Sequence, residues 1–390
     1  MNFQPQKDFR TAERRLPFEC IALVLQGGGA LGAYQAGVYE ALAEADIHPD
    51  WVAGVSIGAI NSAIIAGNEP AERVEKLRTF WREITANPLF DWTAAADALA
   101  PKGNLPRALF NQFSAACALV AGAPGFFSLR QPVPWLYPNG SIESTSFYDT
   151  NRLKSTLERL VDFDRINAGG MRFSVGAVNV RTGNLVYFDN ETHTIRPEHV
   201  MASGSLPPGF PAVEIEGEFY WDGGLVSNTP LQWVVEHGTR QDTIAFQVDL
   251  WSERGELPRN LADVTARQKE IQYSSRTRAH TDQFKQYQRA RHTLANLLAK
   301  LPADLLGSEE ARTLSSIADH KVYKLVHLIY RSKQYETHSK DYEFSRLSMK
   351  EHWRAGYFDA LRTLRHPEAR RRPDNQDGVS TYDPAVDGRE

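Results

Sequence analysis

Two glycine-bracketed turns most constrain what this chain can fold into: Gly27-Gly28-Gly29-Ala30-Leu31-Gly32 and Gly54-Val55-Ser56-Ile57-Gly58. Each follows a short apolar run, residues 21–25 and 51–55, and opens an Ala-rich run of helical spacing. Strand, turn and helix twice in succession call for parallel strands joined by right-handed crossovers. The expected fold class is therefore α/β, a mostly parallel central sheet between helices.

The 390 residues suit one large domain with additions, or two domains. An apolar fraction of 42% supports a sizeable core. A net charge of −4 gives no reason to expect nucleic acid as a partner. Two cysteines, Cys20 and Cys117, make no disulfide framework and point to a reducing, cytoplasmic compartment. No Cys/His cluster has metal-ligand spacing, so no metal is expected. Residues 1–17 form a polar arm without the apolar core of a signal peptide. No apolar run reaches the roughly 18 residues of a membrane span, which leaves only peripheral membrane contact open.

Residues 86–147 are rich in Ala, Pro, Phe and Trp and read as a lid or insertion over the sheet. Residues 173–180 and 185–189 read as a hairpin, 202–211 as a Ser/Gly/Pro loop, and 218–221 as a strand ending at Asp222-Gly223-Gly224. Residues 243–250 and 322–330 are further strand candidates. The division expected is a catalytic body over 18–255 and a mostly helical extension over 256–368, with a capping box at Ser348–Glu351. A disordered tail is expected over 369–390.

Gly54 and Gly58 allow a sharp strand-to-helix turn that presents Ser56 at a helix N-terminus. Gly27, Gly28, Gly29 and Gly32 leave backbone N–H groups bare for a negative oxygen, with Gly28 and Gly29 the natural donors. The same glycines also spell a dinucleotide fingerprint, but Val55-Ser56 stands where the ribose-binding acid belongs, and Asp50 lies at the wrong end of that strand. None of the 11 histidines stands out as a base for Ser56. Asp222 ends an apolar strand, and Gly223-Gly224 lets another backbone approach it. A free carboxylate is a weak base at neutral pH, so a Ser56–Asp222 pair predicts a dry site that raises the Asp222 pKa. Trp221, Val226 and the 207–211 loop are the candidates to exclude water.

These blocks, with Ala202-Ser203-Gly204-Ser205-Leu206-Pro207-Pro208-Gly209-Phe210-Pro211 between them, resemble the patatin-like phospholipase family over roughly residues 18–250. The resemblance implies a three-layer α/β/α sandwich and a serine lipid acyl hydrolase with a Ser56–Asp222 dyad, no metal and no cofactor. It departs at Leu31, where many members carry Arg or Lys, so a charge that would orient an anionic headgroup is missing there. The segment from Phe344 to Trp353 looks like the extension of a bacterial subset of such proteins, read here as a helical buttress.

The reading is a serine esterase of lipid-like esters. A nucleotide-binding oxidoreductase and a non-catalytic lipid-binding module stay open as alternatives. Leu109, Phe110, Phe113, Leu119, Val120, Phe126, Phe127 and Trp135 read as an interfacial wedge or as core. The cations Arg267, Lys269, Arg276, Arg278, Lys285, Arg289 and Arg291 read as a bilayer contact or as a solvated helix face. Oligomeric state is not legible.

Overall fold

The structure is a computed structural model that describes residues 16–86, 101, 103–237, 240–274, 277–375 and 377–384. Residues 1–15 of the expected arm, and 87–100 and 102 of the expected insertion, lie outside the described residues. In chain order the elements used below are β1 (Cys20–Leu25), α1 (Ala33–Glu44), β2 (Trp51–Val55), α2 (Ile57–Ala66), α3 (Arg73–Ile84) and α4 (Asn104–Ala121). The ribbon β3 (Ser128–Leu129) and β4 (Tyr148–Asp149) follows, then β5 (Arg172–Asn179), β6 (Leu185–Asp189), α5 (Pro197–Ser203), β7 (Val213–Ile215), β8 (Glu218–Asp222) and β9 (Thr243–Asp249). The C-terminal third supplies α6 (Leu261–Ser274), α7 (Thr277–Leu298), β10 (Tyr323–Ile329), α8 (Arg346–Arg365) and β11 (Val379–Tyr382).

The central sheet runs β11-β10-β9-β1-β2-β5-β8-β7, with β6 also on β5. The six strands from β11 to β5 are parallel, and β6, β7 and β8 are antiparallel additions. Strand alternation explains the layers. Ile21, Leu23 and Leu25 of β1 face a core with α1, α2 and α3, while Cys20, Ala22 and Val24 face one with Val234 and Phe284. Both faces of β1 are buried, which is why its sequence is continuously apolar. Cys20 and Cys117 are both free.

In the C-terminal third, β10 falls within the expected 322–330 strand. β10 and β11 lengthen the same parallel sheet, and α8 lies along α1. The tail expected to be disordered contains β11, paired with β10 from Tyr323↔Val379 to Val326↔Tyr382. Four residues carry too little pattern to read as a strand, and it is the partner's free edge that orders them. Helix α8 starts earlier than the expected box, with the Ser345 side chain accepting the Ser348 N–H. α1 and α8 touch backbone to backbone: a Cβ on Gly37 would fall 1.9 Å from Trp353 O, and one on Gly356 2.0 Å from Tyr34 O. Tyr34 Oη also donates to Asp359 Oδ2 at 2.8 Å.

The 86–147 expectation splits. Phe126 and Phe127 are buried, while Leu109, Phe113, Val120 and Trp135 are exposed. Among the described residues no helix is long and apolar enough to cross a membrane. Several cations of the 267–292 stretch are paired: Arg267 with Glu270, Lys269 with Asp341, Arg289 with Asp377 and Arg291 with Asp319. Arg276 and the Arg278 side chain lie outside the described residues.

The helix contact generates a test. Gly356→Leu should destabilise the protein by about 1–3 kcal/mol, the usual range for overpacking a tight contact, read as a lower midpoint in urea. An unchanged midpoint means α1 and α8 do not pack this closely.

Candidate active site

Ser56 sits where β2 turns into α2, at φ 57° and ψ −125°, a conformation that costs a non-glycine residue on the order of 1–3 kcal/mol. The glycines on either side are sterically required. A Cβ on Gly54 would lie 2.3 Å from Gly58 O, and one on Gly58 2.2 Å from Leu25 O. The turn is held by the Ser56 N–H, which is 3.1 Å from both Ser203 O and Ser203 Oγ. Ser203 Oγ in turn donates to Gly176 O at 2.6 Å.

Strand pairing brings Asp222 to this serine. β6 occupies one edge of β5, pairing with residues 174–178. The other edge is shared. β2 pairs along it as far as Val55↔Gly176, and β8 takes over, antiparallel, at Ala177↔Asp222. β2 and β8 therefore meet end to end, and the residues at the meeting point are Ser56 and Asp222. Gly223 makes the approach possible, since a Cβ there would lie 2.5 Å from Gly176 O.

Asp222 is 2% exposed. Burial pushes its carboxyl up to about 7, against the opposing effect of hydrogen bonds from the Ser56 side chain and the Gly224 N–H. The Gly224 bond is 2.7 Å, to Asp222 Oδ1. Asp222 is enclosed, but the cavity walls differ in part from those expected. Leu206, Pro207, Pro208 and Phe210 line the cavity, and Trp221 and Val226 do not.

The four glycines of the first turn divide. The Gly27 N–H is spent on Asn228 O at 3.2 Å, and Asn228 Nδ2 returns a bond to Gly27 O at 3.0 Å. Gly32 is buried outside the cavity, where a Cβ would strike Ile57 at 2.5 Å. Neither offers an N–H to the site, which corrects the expectation that all four serve an oxyanion. The N–H groups of Gly28 and Gly29 have no acceptor among the described residues, and both residues line the cavity. Gly29 has φ 55°, the left-handed region where glycine is at ease.

The cavity over Ser56 measures about 320 Å³. One wall is aromatic: Phe127 packs on Tyr148 at 5.0 Å, on Phe210 at 5.3 Å and on Phe344 at 5.9 Å between ring centroids. Leu119 joins this wall, with its carbonyl accepting from Tyr148 Oη at 2.9 Å. Among the described residues no histidine lines the cavity. Asp50 accepts the Ile21 N–H at 2.8 Å at the opposite end of β2, away from the glycine turn. The lining residues Trp251, Lys269, Tyr273, Asp341, Tyr342 and Phe344 were not anticipated as site residues. Lys269, Tyr273 and Asp341 come from polar segments without a motif. Asn228 also lines the cavity.

The fold and the site thus define an α/β protein that presents a strained serine beside a buried carboxylate, under an apolar cavity. A family model described as Patatin-like phospholipase matches residues 23–234. The chain belongs to the patatin-like phospholipase family. A second model, described as Patatin phospholipase, matches residues 271–376. Among curated relatives, Lysophospholipase nte1 of Aspergillus terreus is 51% identical over 59 residues, 15% of this chain and 4% of that protein. An uncharacterized NTE family protein of Mycobacterium tuberculosis is 35% identical over 123 residues, 31% of this chain and 20% of that protein. Patatin-like phospholipase domain-containing protein 7 of Rattus norvegicus is 41% identical over 76 residues, 20% of this chain and 6% of that protein. The matches thus span a fifth or less of each of these relatives. The crystal structure of VipD from Legionella pneumophila aligns with a TM-score of 0.39 at 13% identity, covering 94% of this chain and 72% of that one.

The Asp222 environment sets a pH dependence of stability. A carboxyl raised from 3.8 to about 7 on folding contributes stability that is fully present below pH 3.8 and lost as pH rises through about 7. Asp222→Asn removes this loss. The melting temperature of the variant relative to the parent should therefore rise between pH 5 and pH 8. Asp249, also raised to about 7 by burial, is common to both proteins and cancels. A difference that stays flat over that range means Asp222 is not held as described.

Proposed function

We propose that this protein hydrolyses carboxylic esters of lipids, with Ser56 as nucleophile and Asp222 as its base. The observation that carries the reading is that β2 and β8 meet end to end on β5, which sets Ser56 beside the buried Asp222 in the lining of one cavity, where burial raises the carboxyl to about 7. A carboxylate poised there is matched to proton transfer at neutral pH. Ser56 Oγ attacks the ester carbonyl carbon and its proton passes to Asp222. The carbonyl oxygen becomes an oxyanion between the Gly28 and Gly29 N–H groups. The intermediate collapses, the C–O bond to the alcohol breaks, and Asp222 returns the proton to the departing oxygen. Asp222 then deprotonates a water that attacks the acyl-enzyme, releasing the fatty acid and restoring Ser56. The apolar, aromatic cavity suits an acyl chain. Family membership and the lysophospholipase name of one relative favour a lipid ester as substrate.

The catalytic unit proposed runs past residue 255, because Lys269, Tyr273, Asp341, Tyr342 and Phe344 line the same cavity.

Ser56→Ala and, separately, Asp222→Asn should each lower kcat on a short-chain p-nitrophenyl ester and on lysophospholipid by about a thousandfold or more, as for residues that act as one unit. In the parent enzyme kcat/KM should rise with pH through about 7 as Asp222 loses its proton. Retention of most activity in Asp222→Asn, with loss in a single His→Ala variant, would falsify the pairing.

A further inference from the structure

The glycine turn is held from two sides. On one side Gln26 Oε1 accepts the Leu250 and Trp251 N–H groups at 2.6 and 3.0 Å, and Asn228 exchanges bonds with Gly27. The other side is built wholly from the C-terminal third. Asp341 O accepts the Ala30 N–H at 2.8 Å. The same oxygen lies where a Gly29 Cβ would be, 2.1 Å away. The peptide that follows the two free N–H groups is thus pinned by one backbone carbonyl.

Asp341 is itself fixed by Lys269 on α6. Lys269 Nζ donates to Asp341 Oδ1 at 2.8 Å, to Asp341 Oδ2 at 2.9 Å and to His338 O at 3.0 Å. The neighbouring pair repeats the clip with the charges exchanged. Lys340 Nζ donates to Glu270 Oε1 at 2.7 Å and lies 5.0 Å from the centre of the Trp251 ring. Trp251 Nε1 donates to Gly27 O at 2.9 Å. Two adjacent residues of α6 therefore grip two adjacent residues of the 338–344 segment, and each grip ends on the glycine turn. The Lys269 and Asp341 side chains are 27% and 20% exposed, so the pair is only partly screened by solvent.

We propose that Lys269 and Asp341 are positioning residues that hold the Gly28 and Gly29 N–H groups in line with Ser56, so that the C-terminal third completes the oxyanion site. This rests on the reading of those two amides as oxyanion donors. Lys269 lines the cavity, which also suggests a headgroup anchor, but its geometry assigns it elsewhere. An ammonium has three N–H bonds, and three acceptors already surround this one.

The test compares the full-length parent with Lys269→Met, Lys269→Arg and Asp341→Asn. Two readouts are taken: steady-state hydrolysis of p-nitrophenyl butyrate, and the rate at which a fluorophosphonate labels Ser56, followed by mass spectrometry. The phosphonyl oxygen uses the same donors as the ester oxyanion. Outright loss of one donor costs about a hundredfold or more in kcat. Loosening the pair in Lys269→Met should lower kcat and the labelling rate by about tenfold, with KM within about twofold. Lys269→Arg should recover most of the loss. Asp341→Asn keeps size and backbone, and carries the same comparison if Lys269→Met does not fold. Labelling and kcat within twofold of the parent in these variants overturn the proposal, as does a change confined to KM. A parent enzyme that is not labelled at Ser56 overturns the hydrolase reading itself.

Discussion

The structure depends on one shared strand edge. β5 lends its first half to β2 and its second half to β8, and the changeover falls between Gly176 and Ala177. A parallel partner ending where an antiparallel partner begins brings two chain ends face to face, a juxtaposition an uninterrupted pair of strands does not offer. Residues 56 and 222, 166 positions apart in the sequence (222 − 56), meet there without a long loop to carry either of them. The small residues follow from this. Gly176 and Gly223 clear space at the junction, and Ser203 ties the Ser56 amide to the Gly176 carbonyl, so the elbow is fastened to the strand it abuts.

The enclosure of this junction bears on the electrostatics. A carboxylate alone is too acidic to draw a proton from a hydroxyl near pH 7. Enclosure by protein removes the water that would stabilise its charge. The same enclosure costs stability when the group ionises, so the raised pKa and the folding penalty come from one cause. The bonds from Gly224 and Ser56 moderate the penalty without abolishing it. Strained backbone at Ser56 is a second local cost, supported by the buried sheet beneath it.

Much of this was legible because the decisive features are local. A glycine before and after Ser56 can be read from five residues, and the β-α-β order calls for parallel strands joined by a right-handed crossover. The Asp222-Gly223-Gly224 turn was legible for the same reason. What escaped reading depends on distant partners. Gly27 looks like a free donor until Asn228 is seen to take its N–H. β11 is four residues whose order comes from the edge of β10. Lys269 and Asp341 sit in polar stretches with no periodic signal, and only the folded chain shows that they flank the glycine turn. The aromatic pair Phe126-Phe127 fitted wedge or core by composition, and both are buried against Phe344.

The crossing of α1 and α8 has a consequence for how the molecule comes into being. The first helix after the glycine turn finds its longest partner more than 300 residues downstream, where Tyr34 meets Asp359. β1, too, waits for β9 before one of its edges is covered. Contacts this remote close large loops and form slowly. During synthesis the early half emerges with an apolar flank and an unpaired strand edge bare, a hazard for self-association. The α1 flank is covered only once α8 has been made, so the early half waits on a partner synthesised long after it.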